Sequence, residues 1–104
     1  MSPINKKKLN LLRVKLDKLD SDLLWLIKKR SNLVNEVLKV KIHKKEIIDQ
    51  KRINFILNKI KTKSKQLKID PKITNRIWKN MIWSFIDYEK RNFKKEIKLL
   101  TMRW

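Results

Sequence analysis

Apolar residues stand at Leu9, Leu12, Leu16, Leu19, Leu23, Leu26, Leu33 and Val37. Their alternating three-four spacing puts them on one face of a helix. Arg30 occupies the position missing from that series, and Lys41 continues it four residues after Val37. No proline or glycine interrupts the stretch from Asn5 to Ile42. A helix of about 37 residues is roughly 55 Å long at about 1.5 Å per residue. A compact domain of this size has a radius of gyration of about 13 Å. Such a helix overhangs its own domain, and a second copy of the chain is the simplest cover. The pattern therefore predicts an intertwined homodimer.

A polar break follows at His43, Lys44, Lys45 and Glu46. A second helix is expected to open at Asp49, a good N-cap residue, and to bury Ile53, Ile56, Leu57 and Ile60. It fades through the polar stretch from Lys61 to Lys68. Asp70 and Pro71 then mark a third start, a cap followed by proline at the first helical position. The third helix carries Ile73, Ile77, Trp78, Met81, Ile82, Phe85 and Ile86, with Glu89 midway between Phe85 and Phe93. Period-two alternation is absent, so no sheet is expected. The fold class expected is all-α, a three-helix protomer with a long first helix, and residues 1–104 form one helical domain.

Composition excludes several kinds of chemistry. With no cysteine there is neither a disulfide nor a thiolate metal site, and His43 alone cannot build a zinc site. No metal or cofactor is expected. The longest apolar run, Leu23 to Ile27, is too short to span a membrane, and the first ten residues carry no signal-peptide pattern. A soluble cytoplasmic protein is the expectation. The formal net charge of +19 fits nucleic-acid or anionic-membrane binding. It also fits plain codon bias, because the chain lacks glycine and alanine and is crowded with Lys, Ile and Asn. Bias is the favoured reading, and nucleic acid is an unlikely partner. A diffuse positive field would still speed the approach of a dianion.

The charges in the apolar stripes carry the functional signal. Burying one unpaired charge costs several kcal/mol, so each needs a partner or a ligand. Arg30 and Lys41 are eleven residues apart, three turns on one helix face. Arg offers a fork that suits a carboxylate, and Lys offers a compact point charge. Either one alone would more simply snorkel outward or pair with an acid. Together with Arg52, just after the Asp49 cap, they are compatible with a shared anion site. Arg13 lies on the edge of the first stripe, and antiparallel pairing of two long helices would bring it to the Arg30 and Lys41 of another chain. Glu89 could simply pair with Lys41, Lys90 or Arg91. Its place between two phenylalanines points to burial, which favours a neutral, hydrogen-bond-donating acid. Trp25, Trp78 and Trp83 are expected in the core, and Ser84 has no partner that would make it a nucleophile.

The ordered set resembles the all-α chorismate mutases. It runs through Leu12, Arg13, Leu16, Asp17, Leu19, Asp20, Leu23, Leu24 and Arg30, then Lys41, Asp49 and Arg52. It ends with Ile77, Trp78, Met81, Ile82 and Glu89, so the likeness covers roughly residues 9 to 93. No single element is specific; the order is. The resemblance implies an intertwined dimer with two shared sites, each taking one arginine, here Arg13, from the partner's first helix. Arg30 and Arg52 look like the arginines that hold the substrate's carboxylates. Lys41 looks like the lysine on a carboxylate and the ether oxygen. Asp49 matches the residue beside the substrate hydroxyl, and Glu89 the residue across the ether oxygen. The implied reaction is a Claisen rearrangement of chorismate to prephenate, without cofactor, metal or covalent intermediate.

Three departures lean toward the isochorismate-pyruvate lyase branch of that family. Ile53 stands where bacterial mutases usually have Glu, and Phe85 where they often have Ser. The interval from Lys41 to Arg52 is one residue shorter than usual. Glu89 points back to the mutases, because the lyase has Gln there and some mutases have Glu. The expected function is chorismate mutase acting on a small dianionic substrate. Isochorismate cleavage to salicylate and pyruvate is the alternative, and a basic nucleic-acid-binding module or a catalytically inactive homologue is more distant.

Overall fold

In the computed structural model the backbone is described for residues 2–102 and the side chains for residues 2–93. Three α-helices follow in order: α1 Pro3–Val40, α2 Gln50–Gln66 and α3 Pro71–Met102. One turn of 3-10 helix, Lys44–Glu46, separates the first two, and no strand occurs among the described residues. The fold is all-α.

Local chemistry sets the helix starts. Ser2 Oγ accepts the Asn5 N–H at 3.2 Å, and Pro3 fills the first helical position, so α1 opens two residues earlier than the apolar pattern alone indicates. Asp49 caps α2, its Oδ1 accepting the Arg52 N–H at 3.0 Å. Asp70 does the same for α3, accepting from Lys72 N at 2.9 Å ahead of Pro71. The end of α1 departs from expectation. The helix stops at Val40, so Lys41 lies just beyond it, its N–H tied back to the Leu38 carbonyl at 3.2 Å.

The end of α2 is built without glycine. Ile69 N–H reaches the Ser64 carbonyl at 2.8 Å and Lys68 N–H reaches that of Lys65 at 3.2 Å, the paired bonds of a Schellman stop. That stop needs a left-handed residue, and Lys68 supplies it at φ 58°.

The chain divides into two units, residues 1–33 and residues 34–104. The first is the greater part of α1. Its leucine stripe is open: Leu12, Leu16, Leu19, Leu23, Leu26 and Leu33 are each between 54% and 66% exposed. The second unit holds the core, made of Leu38, Ile47, Ile53, Ile82, Ile86 and Phe93, with Ile56 and Leu57 against it. The buried residue of α1 is thus Leu38, beside the predicted stripe rather than on it. Helices α2 and α3 make the extensive helix–helix contact of the described chain. Within it Ser64 and Thr74 pair their buried hydroxyls at 2.7 Å. No helix of the described residues is long and apolar enough to cross a membrane.

Candidate active site

Glu89 sits on α3 between the buried Ile86 and Phe93, and its own side chain is only 7% exposed. A carboxylate there needs a counter-charge. Lys41 provides it, arriving from the segment just past α1, 48 positions away in sequence. Its Nζ donates to Glu89 Oε1 at 3.0 Å, with the lysine side chain 16% exposed. Of the three cations that the sequence offered Glu89 as plain ion-pair partners, Lys41 is the one it meets. In this contact Glu89 is the acceptor and Lys41 the donor. Every buried side-chain nitrogen and oxygen among the described residues has a partner.

Beside this pair opens a depression of about 560 Å³, lined by Lys41, Lys45, Glu46, Ile48, Asp49, Gln50 and Lys51. Lys41 and Asp49 thus share one concavity. The short 3-10 turn shapes its wall: Glu46 folds back to accept the His43 N–H at 3.0 Å. Three lysines and two acids form that lining, and the Lys41 charge is matched by Glu89, so the charges around the depression balance. Lys45 and Lys51 were not singled out by the apolar pattern. Their only signal in the sequence is closeness to Lys41 and Asp49.

The other expected residues are placed as follows. Arg52 is exposed on α2, its guanidinium 5.3 Å from the centre of the Phe55 ring, on which Lys59 also sits at 5.9 Å. Ile53 is 7% exposed and belongs to the core, so any part it has in a pocket is that of an apolar floor. Phe85 is half-buried on α3. Arg13, exposed, and Arg30, half-buried, lie on the part of α1 that forms the first unit. Trp25 and Trp83 are corrected: both are exposed, and neither is in the core of the single chain, while Trp78 is half-buried. Asn35 and Tyr88, a hydrogen-bonded pair between α1 and α3, were missed because neither lies on an apolar stripe.

A model of the family described as chorismate mutase type II matches residues 12–90. The chain belongs to that family. No curated protein and no solved structure matches it significantly. The matched span begins one residue before Arg13 and ends one residue after Glu89, so it encloses every candidate residue. Chorismate mutase type II membership carries with it a chorismate mutase-type function and a small-molecule substrate. Among the described residues no cluster of three or more His, Cys, Asp or Glu could hold a metal ion.

Proposed function

We propose that the protein is a chorismate mutase, rearranging chorismate to prephenate in sites shared across a homodimer. The observation that carries this reading is the buried Lys41–Glu89 pair beside a depression that Lys41 and Asp49 share. The reaction is an isomerisation: the ether C–O bond breaks as a C–C bond forms, and no atom leaves. The protein's task is to hold the compact conformer and to stabilise charge growing on the ether oxygen. An ammonium has three N–H donors, and Glu89 takes one. Two remain for a substrate carboxylate and the ether oxygen, with Glu89 fixing where they point. Arg30 and Arg52 hold the carboxylates, Asp49 lies beside the hydroxyl, and Arg13 comes from the partner subunit. No step passes through a metal or cofactor.

The open stripe on α1 supports the dimer. Burying each of its half-exposed leucines is worth on the order of 1 kcal/mol. A second copy presents the same stripe, so one pairing covers both.

Ile53 and Phe85 favour a second reading, isochorismate pyruvate lyase. The first is buried and the second half-buried, so neither offers the polar group that mutases usually have there. Purified protein incubated separately with chorismate and isochorismate decides. A higher kcat/KM for prephenate formation supports the mutase, and a higher value for salicylate formation supports the lyase. No product from either overturns both.

A further inference from the structure

Besides the Lys41–Glu89 pair, a second hydrogen bond joins the last turns of α1 to α3. Tyr88 Oη donates to Asn35 Oδ1 at 2.7 Å, both residues being half-buried. Tyr88 immediately precedes Glu89, and Asn35 stands six residues before Lys41. Between Asn35 and Lys41 lies Leu38, 2% exposed and in one core with Ile86 and Phe93 of α3. Asn35, Leu38 and Lys41 follow each other at intervals of three. The first is bound to α3 by a hydrogen bond, the second shares its core, and the third is bound by an ion pair. The extensive backbone approach in this unit is between α2 and α3. The register of α1 against α3 therefore depends on such side-chain ties.

Lysine needs that help. Its ammonium rides on a flexible four-carbon stem and cannot fix its own position. A tyrosine ring, with two rotatable bonds, is a stiffer strut. A further bond anchors the strut's backbone, since Asn92 Nδ2 donates to the Tyr88 carbonyl at 2.8 Å.

We propose that the Tyr88–Asn35 hydrogen bond is a positioning contact, setting the last turn of α1 against α3 so that Lys41 Nζ meets Glu89. The inference rests on the reading of Lys41 and Glu89 as the pair that serves the ether oxygen. Neither Tyr88 nor Asn35 touches substrate. Both act through Lys41.

The test combines turnover of chorismate with a readout independent of it: trace labelling of each lysine by acetic anhydride, quantified by mass spectrometry. Tyr88→Phe keeps the ring and removes the donor. It is expected to lower kcat by about five- to tenfold, the scale of one lost hydrogen bond, and to change KM by less than about twofold. Labelling of Lys41 rises severalfold over wild type, while exposed lysines such as Lys59 stay unchanged. Asn35→Leu behaves alike. Asn35→Asp retains an acceptor and restores most of kcat, which separates positioning from general loss of fold. Adding Asn35→Leu to Tyr88→Phe gives no further loss. Unchanged Lys41 labelling in Tyr88→Phe overturns the proposal whatever happens to kcat. Raised labelling in a protein whose wild type converts neither substrate upholds the contact and overturns the functional reading instead.

Discussion

A buried ion pair responds unequally to loss of its two members. Lys41→Met leaves the Glu89 carboxyl at a position 7% exposed with no counter-charge. Removing one partner of a buried pair costs about 3–5 kcal/mol. Glu89→Gln leaves Lys41 an amide acceptor and can also donate toward an ether oxygen. On chorismate near neutral pH, Lys41→Met is expected to lose on the order of 100- to 1,000-fold in kcat, the scale of one essential transition-state donor. It should also melt well below wild type. Glu89→Gln should keep or raise kcat and melt below wild type by less than Lys41→Met does, because Lys41 keeps an acceptor and is the more exposed member at 16%. Similar losses in both variants would remove Glu89 from its place across the ether oxygen. This pairing was legible in part. Glu89 interrupts an apolar stripe and so needed a cation, but the sequence left Lys41, Lys90 and Arg91 equally open, and Lys41 reaches it from beyond the end of α1. Asn35 and Tyr88 were not legible, because polar residues off a stripe look like solvent-facing ones until the helices are docked.

Among the elements, starts were easier to see than stops. Asp49 and the Asp70–Pro71 step announce their helices through capping chemistry that acts within three residues. The stop after α2 has no such mark, because the left-handed position that glycine usually takes is filled by Lys68. A β-carbon in that conformation costs about 1 kcal/mol. Lys68→Gly is therefore expected to raise the melting temperature by a few degrees at fixed protein concentration, read by circular dichroism. A lower melting temperature would show that the lysine side chain stabilises the corner. Ser64 was hidden for a related reason, lying in a polar run where α2 merely seemed to fade. It bonds the Ile60 carbonyl at 2.6 Å and the Thr74 hydroxyl at 2.7 Å in the α2–α3 contact. Ser64→Ala leaves the buried Thr74 hydroxyl with only its longer bond to the Pro71 carbonyl at 3.4 Å, at a cost of about 1 kcal/mol. Adding Thr74→Val should recover part of that cost in denaturant unfolding, and simple additivity would show the two hydroxyls to be independent.

For the whole molecule, the unusual length of the first helix was visible from a stripe that no proline or glycine breaks, and the family match covers that stripe from Leu12 onward. The face buried by the single chain was not visible, since Leu38 is one residue off the stripe. If Arg13 serves the partner's site, homodimers of Arg13→Ala and of Arg30→Ala are both nearly inactive. Refolding the two together restores activity, because each mixed dimer regains one complete site. Verified mixed dimers without activity would confine Arg13 to its own chain or to no role. The open leucines then have a consequence for dose. When sites exist only where two copies meet, output at low abundance grows with the square of the number of chains, and dilution lowers activity and stability together. Each chain also carries a formal charge of +19, so copies repel until salt screens them. If the proposed dimer holds the sites, added salt lowers the abundance at which activity switches on while weakening capture of a dianion, and at high dilution turnover is expected to pass through a maximum as ionic strength rises.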